Sequence, residues 1–181
     1  MKQILNIIKK ADKLEGDFVS IGCGYCEREK DILLAMAADE VTRRKWIILD
    51  NFEKTPPQRA YDFINDVVNY IEKGCKLAKA DIHEDFTEEF EGQAALVHYD
   101  IDNKDLTVIG ISKMFDGLPQ NAIIFTDPSN KNTKEGFEAY ADKNKDARLV
   151  VESKDISYII KKVIKPRKPK KVVREYNPNL T

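Results

Sequence analysis

Two sets of residues in this 181-residue chain have types and spacing suited to chemistry: a glycine pair near the start and a series of aspartates further on. Gly22 and Gly24 flank Cys23 after the β-rich run DFVSIG and before a stretch of helical composition. Strand, glycine turn and helix in that order allow a backbone to come close to a ligand. Asp50 ends the next apolar run, KWIILD, 26 residues after Gly24. With Asn51 beside it, an acid there is placed to hold the two hydroxyls of a ribose. Asp81, Asp100 and Asp127 end three later runs, and in an open parallel sheet the carboxyl ends of the strands share one edge, so glycines and carboxylates converge.

The glycine turn discriminates between cofactors. A nicotinamide dinucleotide favours G-x-G-x-x-G/A, whereas the last place here is Glu27, whose charge would repel a pyrophosphate. A ribose-bearing cofactor without phosphates, such as S-adenosylmethionine, tolerates that acid. Glycines that only turn the chain between strand and helix are the plainer alternative.

Other chemistry-bearing residues are fewer. Cys23 and Cys26 spell C-x-x-C, a redox motif or half of a zinc site, but only Cys75, His83 and His98 remain to complete a metal centre. His83, after a strand, is either a surface residue or a candidate general base, its ordinary pKa suiting proton abstraction near neutrality. His98 falls inside a strongly apolar run and reads as a buried histidine satisfied by hydrogen bonds. Asp102 is either a further metal ligand or part of a helix start, Asp102–Asp105. The acid-rich stretch Asp81–Glu91 reads as a solvated face, of which only Asp81 belongs to the site.

Periodicity supplies the elements that must carry these residues. Ile4, Leu5, Ile7, Ile8 and Leu14 predict an amphipathic helix ending near Glu15-Gly16. Strands are expected at Asp17–Gly22, Lys45–Asp50, Cys75–Asp81, Ala94–Asp100 and Ala122–Asp127. Helices are expected at Glu27–Asp39, Gln58–Lys73, Leu106–Phe115 and Lys134–Lys143. Ala147–Glu152 and Ser157–Ile164 follow with a short connection, which favours an antiparallel pair. The runs WIIL, AALV and AIIF are continuous rather than alternating, as in parallel strands covered on both faces. The expected fold is therefore a doubly wound, Rossmann-like α/β domain over residues 1–164 with an antiparallel C-terminal strand.

Composition sets the outer limits. With 42% apolar and 34% charged residues, wholly disordered and collagen-like chains are excluded. No apolar run approaches the roughly 18 residues of a spanning helix, so no membrane partner is expected. The N-terminus lacks a secretory pattern, and three cysteines do not suggest a disulfide framework, so a cytoplasmic location is expected. Residues 161–181 carry 8 Lys/Arg and 1 acid, a charge of +7, against −8 over residues 1–160. Residues 165–181 read as an extended basic tail, either a solvated terminus or a grip for nucleic-acid phosphates, a charged substrate or a neighbouring subunit, although the acidic body disfavours nucleic acid as the main partner.

The runs GDFVSIGCGYCE (Gly16–Glu27), RRKWIILDNFEKTPP (Arg43–Pro57), LVHYDID (Leu96–Asp102) and LPQNAIIFTDP (Leu118–Pro128) together resemble the macrocin O-methyltransferase family of class I S-adenosylmethionine-dependent methyltransferases. The segment Asp50–Glu53 is the most specific of these pieces. The resemblance implies a seven-stranded sheet and methyl transfer to a hydroxyl of a small molecule or sugar. Gly22, Cys23, Gly24, Asp50, Asn51 and Asp81 would bind the cofactor. Asp100 and Asp127 would hold Mg²⁺, and Asp100 and His83 would serve catalysis; a homodimer would be unsurprising. The chain departs from the pattern at Ser20, where an acid is usual, at Cys26, where a third glycine is common, and at Thr126-Asp127, which replaces a paired acid. The alternatives are a protein that binds S-adenosylmethionine without transferring its methyl group and a nucleic-acid-associated relative that uses its basic tail.

Overall fold

A computed structural model describes residues 2–24, 26–38, 40, 44–53, 58, 60, 62, 74–84, 86–90, 93–127, 129–151 and 157–162. Its elements, in chain order, are α1 (Lys2–Ala11), β1 (Asp17–Ile21), α2 (Glu27–Ala38), β2 (Trp46–Asp50), β3 (Cys75–Lys79), a 3-10 turn (Thr87–Phe90), β4 (Ala94–Tyr99), α3 (Lys104–Met114), β5 (Ile123–Phe125), α4 (Lys131–Lys143), β6 (Ala147–Val151) and β7 (Ser157–Lys161). Of the expected helix Gln58–Lys73, residues 58, 60 and 62 are described and helical. The rest of that helix, and the basic tail 165–181, lie outside the described residues.

The strands form one sheet in the order β3-β2-β1-β4-β5-β7-β6. Strands β1 to β5 pair in parallel, while β7 runs antiparallel between β5 and β6. The order reverses beside β1, where β2 lies on one side and β4 on the other. A crevice opens at such a point, beyond the carboxyl ends of the strands.

Side-chain alternation divides the core between the two faces of the sheet. Phe18, Trp46, Ile48, Leu96 and Phe125 pack with α1 and α2, α1 contributing Ile4, Ile7, Ile8 and Ala11 at helical spacing. Val19, Ile21, Ile47, Leu49, Val97, Tyr99 and Ile124 face the other way and pack with Ile111, Met114, Phe137 and Tyr140 from α3 and α4. Every residue of β4 is buried, consistent with a central strand. The doubly wound α/β fold expected from the sequence is the fold observed.

Several boundaries differ from expectation: α1 ends at Ala11 rather than near Glu15-Gly16 and β3 at Lys79 rather than Asp81, and the starts of two helices have a local reason. Asn103 caps α3, its side-chain oxygen accepting the Leu106 N–H at 3.0 Å, so the helix begins at Lys104. Asn130 caps α4 by accepting the Thr133 N–H at 3.0 Å and starts that helix at Lys131. β5 keeps only Ile123–Phe125, since Ala122 and Thr126 fall outside the strand.

Candidate functional site

Gly22 and Gly24 leave β1 with positive φ values of 81° and 52°. At Gly22 a Cβ would stand 2.7 Å from the Asp100 carbonyl oxygen and 2.8 Å from Ile101 Cγ1. Only glycine lets the turn pass this close to the end of β4. At Gly24 a Cβ would meet nothing within 4 Å, so the backbone there faces open space. Cys26, where a third glycine is common, is buried and holds φ of 60°, the left-handed conformation a glycine would take at lower cost.

Asp50 organises this turn from the neighbouring strand. Its Oδ2 accepts the Gly24 N–H at 2.9 Å and its Oδ1 accepts the Phe52 N–H at 2.8 Å. An ionised carboxylate has about four lone-pair sites, so two remain for outside donors. Asn51 Oδ1 accepts the Glu53 N–H at 3.1 Å, and Asp81 Oδ1 accepts the His83 N–H at 2.8 Å. These residues line a cleft of about 570 Å³ together with Gly22, Gly24, Asp100, Ile82 and Phe86. The open glycine turn, the acid with free lone pairs and the apolar side chains form a donor set that fits S-adenosylmethionine.

The structure brings Gly22, Gly24, Asp50, Asn51, Asp81, His83 and Asp100 to this one cleft. His83 is exposed on it. Cys23 instead lines a second pocket of about 320 Å³ with Glu27, Arg28, Asp31, Asp100 and Asp127. Asp100 borders both spaces.

Asp100 and Asp127 are engaged by nitrogen and hydroxyl donors. Asp127 Oδ2 pairs with Nε of Arg28, and its Oδ1 accepts from Ser129 N at 3.4 Å and Ser129 Oγ at 3.2 Å. Asp100 Oδ1 accepts from Asn130 Nδ2 at 2.6 Å. Asp102, the further metal candidate, accepts from Asn132 Nδ2 at 2.8 Å, while helix capping falls to Asn103. Among the described residues, no three His, Cys, Asp or Glu side chains group as a metal ion requires. A divalent cation needs carboxylate oxygens turned toward it with no positive charge beside them, so Asp127, with the Arg28 guanidinium on its Oδ2, does not fit Mg²⁺. Nor does Cys23 of the C-x-x-C pair favour the thiolate. A hydrogen bond with Cys26 and burial raise the Cys23 thiol pKa well above its ordinary value, and burial pushes Cys75 up to about 12.

Beneath the glycine turn lies a buried polar chain. Glu29 of α2 reaches His98 Nδ1 at 2.9 Å, Ser20 Oγ stands 3.4 Å from the same nitrogen, and Trp46 Nε1 donates to Ser20 Oγ at 3.1 Å. Burial pulls the imidazole pKa down. The hydrogen bond and charge of Glu29, with the charges of Asp100 and Asp127, outweigh it, and the net direction is up. His98 is thus satisfied at Nδ1 only, since Nε2 has no partner among the described residues. Sequence reasoning missed Arg28 and Glu29. Glu29 had a signal: it shares a face with Ile32, Leu33 and Met36 at helical spacing, and an acid on an apolar face needs a buried partner.

No protein-family model and no curated protein sequence matches the chain. Solved structures do. The O-methyltransferase NovP superposes with a TM-score of 0.70 at 12% identity, covering 90% of this chain and 80% of its own. CalS11, a TDP-rhamnose 3'-O-methyltransferase of calicheamicin biosynthesis, gives 0.67 at 13%, covering 87% and 77%. The SAH-bound methyltransferase PaMTH1 of Podospora anserina gives 0.60 at 16%, covering 90% and 78%. Likeness at this level of identity shows the fold, which is that of class I methyltransferases.

Proposed function

We propose that the protein is an S-adenosylmethionine-dependent methyltransferase acting on a hydroxyl of a small molecule or sugar. The observation that carries this reading is the 2.9 Å hydrogen bond from the Gly24 N–H to Asp50 Oδ2, two residues that line the cleft. It ties an open glycine turn to an acid that keeps lone pairs for ribose hydroxyls. Gly22, Cys23 and Gly24 would hold the cofactor through their backbone, and Asn51 would serve the ribose and Asp81, Ile82 and Phe86 the adenine. Bound there, S-adenosylmethionine supplies an electrophilic methyl group to a nucleophilic oxygen.

The chain's own contribution is mainly positioning, the larger source of rate in such a transfer. Asp100 borders both spaces, so its carboxylate would stand beside an acceptor held in the smaller pocket. There Asp100 orients the acceptor hydroxyl and takes its proton, whereas His83 borders only the larger cleft. The acceptor class is read from likeness to NovP and CalS11, whose fold this chain shares.

A binding protein without transfer activity is the second reading, favoured by the donors already engaging Asp100 and Asp127. Calorimetric titration with S-adenosylmethionine and S-adenosylhomocysteine, on the wild type and Asp50→Ala, tests the shared cofactor site. Binding lost in the variant is expected; a folded wild type that binds neither compound would overturn both readings. Methyl transfer to a panel of hydroxyl acceptors then separates enzyme from binder.

A further inference from the structure

Asp127 is 6% exposed and lies 99 residues from Arg28 in sequence, yet its Oδ2 pairs with the guanidinium Nε. Arg28 comes from the first turn of α2, and its side chain is 36% exposed on the 320 Å³ pocket. The second acid, Asp100, faces an amide nitrogen whose orientation is fixed independently. Asn130 Oδ1 caps α4 through the Thr133 N–H, which leaves Nδ2 to meet Asp100 Oδ1 at 2.6 Å. The acids after β4 and β5 are therefore both met by N–H donors, and one of those donors carries a positive charge.

Arginine suits such a place. Its guanidinium stays charged, is planar and carries five N–H donors, of which Nε supplies one to Asp127. The two Nη groups are its other donors, and a hydroxyl oxygen is a matching acceptor. Glu27, Asp31, Asp100 and Asp127 give the rest of the pocket a charge that repels phosphate or carboxylate groups, so a neutral, hydroxyl-bearing acceptor fits it.

We propose that Arg28 is the resident cation of the acceptor pocket, held by Asp127 where a divalent ion would otherwise sit, and that it positions an oxygen of a neutral hydroxylated acceptor beside Asp100. The acceptor role rests on the methyltransferase reading; the occupation of a cation site by the guanidinium does not. Mn²⁺, followed by water-proton relaxation, is the probe for that occupation. Wild type is expected to show no saturable Mn²⁺ binding in the millimolar range. Arg28→Met, with native circular dichroism, should gain one site with a dissociation constant of about 1 mM or tighter, and Arg28→Met/Asp127→Asn should lose it. A saturable Mn²⁺ site in wild type that Asp127→Asn abolishes would overturn the proposal, and so would a folded Arg28→Met that gains no site. Titration of wild type with S-adenosylhomocysteine, run alongside, reports on the methyltransferase reading separately, because its failure leaves the Mn²⁺ result standing.

Discussion

The N–H of Gly24 and Oδ2 of Asp50 lie 2.9 Å apart, joining the turn after β1 to the last residue of β2 across 26 positions of sequence. The other oxygen of the same carboxylate holds the Phe52 N–H. Asp50→Asn can keep only one of these acceptors, because its amide nitrogen would face a backbone donor. Hydrogen bonds to a charged group contribute about 1.5–3 kcal/mol, so affinity for S-adenosylhomocysteine should fall by about tenfold or more. Calorimetry checks this, and unchanged affinity would remove Asp50 from the cofactor site.

Gly22 and Gly24 should fail in different ways. At Gly22 an alanine Cβ would collide with the Asp100 carbonyl oxygen at 2.7 Å, and left-handed strain adds to the clash. Gly22→Ala should therefore lower unfolding stability by about 2 kcal/mol or more. At Gly24 the Cβ meets no protein atom within 4 Å, so Gly24→Ala should lose only about 1 kcal/mol. Its loss should appear instead in cofactor affinity, since the added methyl enters space the ligand would use. Denaturant melts and calorimetry on both variants give the comparison; equal affinity losses at equal stability would contradict the assignment.

The buried pair Glu29–His98 makes a pH-dependent contribution whose sign can be worked out. The folded-state pKa of His98 is raised, burial being outweighed by Glu29, Asp100 and Asp127. The folded chain then binds more protons than the unfolded one above the ordinary value of about 6.5. The stabilisation is complete below about pH 6.5 and is lost as pH rises through the folded-state pKa. Glu29→Gln keeps a hydrogen-bonding side chain but removes the charge, and should destabilise by about 1–3 kcal/mol at pH 6. That gap should narrow toward pH 9, and the His98 proton titration seen by NMR should move down in the variant. A gap independent of pH between 6 and 9 would show that the pair does not titrate there.

The sheet was legible because its signal is local. WIIL, AALV and AIIF are continuous apolar runs, and each became a parallel strand covered on both faces. The cleft residues were legible because strand ends mark one edge, and Asp50, Asp81 and Asp100 stand on it. What could not be read was pairing between distant side chains. Nothing near Arg28 in sequence announces Asp127, and nothing near Asn130 announces Asp100. Ser20, an apparent loss of an acid, joins the chain Trp46–Ser20–His98–Glu29, so the carboxylate at this level of the core comes from α2 instead.

Asn130 links the start of α4 to the site, and two substitutions separate those roles. Its Oδ1 accepts the Thr133 N–H at 3.0 Å and its Nδ2 donates to Asp100 Oδ1 at 2.6 Å. Asn130→Ala removes both bonds, and loss of a cap of this kind costs about 0.5–2 kcal/mol. Asn130→Asp keeps the cap, and its charge suits a helix N-terminus, but it sets a carboxylate against Asp100 where a donor stood. Repulsion between two carboxylates at this separation favours protonation of one of them, so the cost of Asn130→Asp should be greatest near neutrality and shrink as pH falls through the carboxylate range. The cost of Asn130→Ala should shrink less over the same range, since it takes a donor from Asp100 without adding a charge. Urea unfolding of both variants between pH 4 and pH 7 measures the difference. Parallel curves would mean that the cap alone accounts for Asn130, whereas curves that converge toward acid would place Asn130 in the setting of Asp100.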